Sequence, residues 1–128
     1  MIKIPFKNET FDILYASHVL EHIPWYMLDR TIKEWSRVMK KGGLLEIWVP
    51  DGLKIAHAFV DAEINNGTEY KNDGWFKYNE TQDPALWAAG RIFSYGDGNG
   101  TLGHTNWHLS LFSYRFLEKL LTKNGFTN

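Results

Sequence analysis

Phe11 to Asp51, FDILYASHVLEHIPWYMLDRTIKEWSRVMKKGGLLEIWVPD, restricts what this chain can fold into more than any other stretch. A β-branched and aromatic run, Phe11 to Tyr15, leads into a small polar corner, Ala16-Ser17-His18. A helix-period segment from Pro24 to Lys40 follows, then a Lys-Gly-Gly stop and a second apolar run, Leu44 to Val49. A helical connection of that length joins strands that run parallel, because antiparallel neighbours need only a hairpin. Such crossovers are right-handed, which places the helix on one face of the two strands.

The local signals agree with that reading. Pro24 suits a first helical turn, where its missing N–H costs nothing. Leu28, Ile32, Trp35 and Met39 recur at helical spacing as one apolar stripe. Asp29 with Lys33, and Arg30 with Glu34, set opposite charges one turn apart on the wet side. Arg37, Lys40 and Lys41 crowd the C-terminal end, where the helix dipole favours cations, and Gly42 is expected as the left-handed cap. The run Leu44 to Val49, broken only by Glu46, has the near-continuous apolar character of a strand covered on both faces.

The rest of the chain reads as helices and loops. Met1 to Thr10 offers a brief entry strand or edge. Asp51 is placed to cap a helix running to about Ile64, with Leu53, Ala56, Val60 and Ile64 inward and Asn65-Asn66-Gly67 as its end. Thr68 to Thr81 carries Tyr70, Trp75, Phe76 and Tyr78 and is expected to be an ordered excursion. Asp83-Pro84 opens a short helix through Trp87, and Ser94 to Leu109 is glycine-rich loop. Ser113 caps a last helix with Phe116, Leu117, Leu120 and Leu121 facing in. Gly125 closes it, and Phe126-Thr127-Asn128 resembles the start of a strand.

At 128 residues the chain is expected to be a single domain, 1–128. A net charge of −1 with no block of either sign argues against a broad nucleic-acid surface. With no cysteine, disulfides and thiolate chemistry are excluded, and a reducing, cytoplasmic setting is expected. No apolar run reaches the length of a membrane span. The Asn-x-Thr triplets at Asn8, Asn66, Asn79 and Asn99 read as polar turns.

Taken in order, Phe11-Asp12, His18-Val19-Leu20-Glu21-His22, Arg37-Val38-Met39-Lys40-Lys41-Gly42-Gly43 and Val49-Pro50-Asp51 resemble the class I S-adenosylmethionine-dependent methyltransferases, in particular the small ones with a His-x-Leu-Glu-His corner. A looser similarity continues through Gly103-His104, Trp107-His108, Phe112-Ser113 and Asn124-Gly125-Phe126. The resemblance implies an α/β, Rossmann-like three-layer αβα fold in truncated form, with about two core parallel strands and crossover helices. The family's glycine-rich cofactor loop and its ribose-binding acid belong upstream of the Phe-Asp strand, and only ten residues precede Phe11 here. The chain therefore resembles the central to C-terminal portion of such an enzyme, and weak or absent binding of S-adenosylmethionine is expected of it alone.

Ligands of open α/β sheets bind at the carboxyl ends of strands. By that rule and by the resemblance, Ser17, His18, Val19 and Glu21 are candidates for the cofactor side, against the plainer reading of a structural turn. Methyl transfer from a sulfonium is an in-line displacement whose leaving group departs neutral, so alignment does most of the work. A base is needed only for a protonated acceptor, and His22 and His104 are the candidates. Tyr95, Trp107 and His108 are candidates for the substrate side, although large aromatics more often fill a core. Tyr95-Gly96-Asp97-Gly98-Asn99-Gly100 matches a cofactor-cradling glycine motif literally, but lacks the strand before and helix after that the motif requires. No metal is expected. A rival reading is a metal-dependent hydrolase on His104 and His108, four apart, with Asp97 as third ligand.

The sequence thus points to methyl transfer to an unidentified small-molecule or glycan acceptor. A second rival is a non-catalytic interaction module derived from such an enzyme. Open strand edges and abundant aromatics predict a homodimer or higher oligomer.

Overall fold

The computed structural model describes residues 3–74 and 79–127. β1 (Phe11–Ser17) and β2 (Met39–Trp48) pair in parallel, with α1 (Leu28–Val38) in the crossover, as the central stretch requires. The remaining helices are α2 (Gly52–Asn65), α3 (Pro84–Phe93) and α4 (Tyr114–Lys123). The result is a small α/β unit with a Rossmann-like parallel crossover and two strands in its sheet among the described residues.

The crossover helix is shorter than its sequence pattern. Pro24 precedes a 3-10 turn, Trp25–Met27, and α1 stops at Val38 because Met39 is already extended (φ −82°, ψ 144°). Pairing with β1 wins over helix continuation: Met39 lies opposite Phe11, and the Lys40 ammonium sits 2.9 Å from both carboxylate oxygens of Asp12. Gly42 is therefore not a helix cap. Its positive φ (76°) falls where the β1–β2 register shifts, and a Cβ on Gly43 would stand 2.8 Å from the Asp12 carbonyl oxygen. The Gly-Gly pair serves this strand irregularity, which only residues without a Cβ accommodate.

Among the described residues, one face of the sheet is covered, not both. Leu14, Leu45, Ile47 and Val49 pack with Ala16 against Leu28, Ile32 and Trp35 of α1 and Leu120 of α4. Leu20, Ile32 and Val38 are fully excluded from water, each contributing about 1.5–3 kcal/mol by burial. On the opposite face Ile13, Tyr15, Leu44 and Trp48 are 57–64% exposed. Glu46 belongs to this open face, where its carboxylate accepts the Trp48 indole N–H at 2.6 Å. That placement explains the one polar residue in the run.

A second core lies between α2 and α3, built from Ile55, Ala58, Tyr70, Trp87 and Ala88. Asp51 caps α2 by accepting the Leu53 and Lys54 amides, Asn66 (φ 58°) ends it left-handed, and Asp83 caps α3 through the Leu86 amide. The inward stripe of α2 differs from the expected one. Leu53 and Ile64 are 68% and 72% exposed, while Ile55 and Ala58 are buried with Phe59 and Ala62 beside them. The helix is apolar around much of its circumference, so periodicity alone does not choose the buried side, and docking on α3 does. In the excursion after α2, Tyr70 is buried and bonds the Gln82 carbonyl at 2.7 Å. Trp75, Phe76 and Tyr78 lie outside the described residues.

Among the described residues, neither end forms the expected strand. Residues from Lys3 to Thr10 instead strap onto α1: the Arg37 guanidinium donates to the carbonyls of Ile4 and Phe6, and Glu34 accepts the Ile4 amide. Ser113 caps α4 as expected, through the Phe116 amide. Leu120 is buried and Leu117 and Leu121 half-buried, whereas Phe116 is 41% exposed, turned out of the core rather than in. Phe126 packs on the first core without strand pairing, and Asn128 lies outside the described residues.

Candidate functional site

The site is built at the carboxyl end of β1. His18 takes a left-handed conformation (φ 53°) while its amide still bonds the Trp48 carbonyl, so the chain bends sharply off the sheet. A 3-10 turn, Leu20–His22, follows. Burial of Leu20 in the first core draws Glu21 in beside it, leaving that carboxylate 1% exposed. One oxygen, Oε1, lies 2.9 Å from His18 Nδ1; the other, Oε2, has no hydrogen-bond partner among the described residues.

The loop between α3 and α4 docks onto this corner through its backbone. The Leu109 and Ser110 amides both donate to the Glu21 carbonyl, at 2.6 and 3.1 Å, and the Ser110 hydroxyl donates to the Ile23 carbonyl. His108 is held by its amide to the Phe93 carbonyl at 3.0 Å. The His22 Nδ1–H donates to the Trp107 carbonyl at 3.2 Å, and the His22 and His108 rings meet edge to face with centroids 5.0 Å apart. Burial, then the adjacent His22, lowers the proton affinity of His108, against an opposing pull from Glu21 and the Arg91 and Ile92 backbone.

Between corner and loop is a cavity of about 910 Å³, with Val19, Ile23, Phe93, Leu102 and Leu109 as its apolar walls. Of the residues singled out in the sequence, His18, Val19, His22, His104, Trp107 and His108 line it. Glu21 lies behind them and Ser17 ends the strand beneath; neither they nor Tyr95 is among the lining residues. Gly96 shapes one wall: its φ is +57° and an added Cβ would meet the Trp107 ring at 2.5 Å. The glycine run around it is a turn with no helix after it, as its flanks predicted.

The ligand set Asp97, His104 and His108 is not assembled among the described residues. Asp97 is turned onto its own loop, accepting the Thr101 hydroxyl and the Asn99 and Thr101 amides, which hold its carboxyl below the usual range. His104 is exposed, and its Nδ1 accepts the Asn106 amide. The group that does converge is Glu21, His22 and His108, whose ligand atoms all lie within 4.8 Å of one another. Spacing along the chain carried no trace of it, because His108 reaches Glu21 through the docked loop. The apolar walls Phe93 and Leu102 went unmarked for the same reason.

The parallel βαβ unit with its bent, polar corner is the part of the chain that is similar to known methyltransferases. A family model described as a methyltransferase domain matches residues 1–47, which take in β1, the corner, α1 and nearly all of β2. The sterol 4-C-methyltransferase strm-1 of Caenorhabditis elegans is 49% identical to this chain over 41 residues, covering 32% of this chain and 12% of that protein. No solved structure matches the chain significantly. No helix among the described residues is long and apolar enough to cross a membrane.

Proposed function

We propose that the chain supplies the acceptor side of a methyl transfer from S-adenosylmethionine, and that its acceptor is a largely apolar small molecule carrying one nucleophilic group. The observation that carries this is the cavity of about 910 Å³ at the β1 corner, apolar on most of its wall and lined also by the imidazoles of His18, His22, His104 and His108. Its size falls in the range of small-molecule sites, which combine an apolar wall with a few polar groups that orient the ligand. A relative that acts on a sterol supports an apolar acceptor. Ser17, His18 and Val19 stand at the corner as the donor-side contacts, and Trp107 and His108, which line the cavity, remain the substrate-side group with Tyr95.

Transfer needs the nucleophile, the methyl carbon and the departing sulfur in line, and alignment of this kind supplies up to roughly 7–11 kcal/mol. The thioether leaves neutral, so a protonated acceptor requires only that its own proton be taken up. His22 and His104 are the bases on the wall, and Nε2 of His22 is the free lone pair because Nδ1–H is committed to Trp107. We further propose that donor affinity of this chain alone is weak. Incubation with methyl-labelled S-adenosylmethionine at millimolar concentration and a panel of a sterol, an apolar phenol and a free sugar tests the reading. Label should enter the apolar acceptors, and Val19→Trp, which fills the cavity, should reduce it at least about tenfold, equivalent to ~1.4 kcal/mol. Label confined to the sugar, or absent from all three, contradicts it.

A further inference from the structure

We propose that Glu21, His22 and His108 form a binding site for a divalent first-row transition cation, zinc foremost, with one coordination position left open to the cavity. The inference goes beyond methyl transfer and does not rest on it.

The geometry starts from the carboxylate. Glu21 is 1% exposed, and its Oε2 has no partner among the described residues, although Oε1 is held by His18. A buried carboxylate oxygen with nothing to accept from is costly, and such a group calls for a proton, a water or a cation. Two imidazoles stand within reach: the three ligand atoms lie within 4.8 Å of one another. Bound to zinc at about 2.0–2.2 Å, such atoms stand a little over 3 Å apart, so modest side-chain rotations close the site.

The surroundings favour ligation over a chance cluster. The His22 Nδ1–H bond to the Trp107 carbonyl fixes the tautomer that leaves Nε2 unprotonated, the outer-shell arrangement typical of metal-bound imidazoles. His108 lies against the Arg91 and Ile92 backbone, and its loop is fastened to Glu21 by the Leu109 and Ser110 amides. The ligands are thus carried by two backbone segments that are hydrogen-bonded to each other. Two imidazoles and one carboxylate select zinc and its first-row neighbours over magnesium or calcium, which prefer oxygen throughout. Three protein ligands leave a fourth position, and His22 and His108 both border the cavity. With a cation on His22, His104 is the remaining base on the wall.

Purified full chain, stripped with chelator and reloaded with zinc alone, tests the proposal. One zinc per chain is expected with micromolar or tighter affinity, a higher melting temperature when loaded, and visible tetrahedral bands after cobalt replaces zinc. His108→Ala and Glu21→Gln should each weaken binding by about a hundredfold or more, above the tenfold to hundredfold typical of outer-shell changes. His57→Ala, on the exposed side of α2, should change nothing. Wild-type chain that binds no stoichiometric zinc and shows no melting shift overturns the proposal without recourse to any variant. Binding that survives His108→Ala, or that falls equally in His57→Ala, overturns it as well.

Discussion

Asp29 shows how much of the stability of this small unit depends on ionisation state. Its carboxylate lies 2.9 Å from the Lys123 ammonium, 3.1 Å from the Asn124 amide and 3.2 Å from Lys33, tying the start of α1 to the end of α4. Lys123, then Asn124 and Lys33, hold its carboxyl down at about 2. Glu34 is likewise held at about 2, chiefly by Arg37. Folded values below unfolded ones mean that the folded state binds fewer protons, so this stabilisation is complete above about pH 4 and is lost as pH falls toward about 2. Urea midpoints should therefore drop through that window, and Asp29→Asn should flatten the drop; an unchanged profile would show that the Asp29 cluster contributes nothing. The Lys33 contact was legible from i, i+4 spacing, whereas Lys123 and Asn124 reach Asp29 only through the packing of α4 on α1. Glu21 teaches the same lesson at the candidate site: its neighbour His18 is three residues away, but His108 arrives by way of the loop.

At the scale of elements, patterning identified what each segment is better than it identified which side faces inward. The parallel strands, the crossover and the caps at Asp51, Asp83 and Ser113 follow from local chemistry, since a capping side chain and its amide are neighbours in sequence. The boundary of α1 failed because strand pairing through Met39 and Lys40 overrode helical periodicity. The face of α2 failed because most of its sides are apolar. Ile55→Ala should accordingly cost about 2–4 kcal/mol, as buried aliphatic truncations do, and Leu53→Ala no more than about 0.5 kcal/mol. Equal losses for the two substitutions in a denaturant titration would restore the stripe expected from sequence.

For the molecule as a whole, the uncovered sheet face is the main departure from a sequence that reads as buried on both sides. Ile13, Tyr15, Leu44 and Trp48 expose apolar surface beside two strand edges. Contiguous apolar surface of this kind marks an association site, and we propose that copies of this chain associate through it. Light scattering at micromolar concentration should report a dimer or larger, and Tyr15→Lys with Trp48→Lys should shift it toward monomer; a monomeric wild-type chain contradicts this. The cavity lies at the strand's carboxyl end rather than on that open face, so the two surfaces can be tested separately.

We propose that the bend after β1 is the donor-side wall of a methyl-transfer site and that this chain alone holds the donor weakly. An amide-resolved NMR titration with S-adenosylhomocysteine addresses both parts at once. Shifts should concentrate at Ser17, His18, Val19 and Glu21, with a dissociation constant on the order of millimolar. Shifts clustered between α2 and α3 with the bend unmoved would contradict it, as would saturation at micromolar ligand.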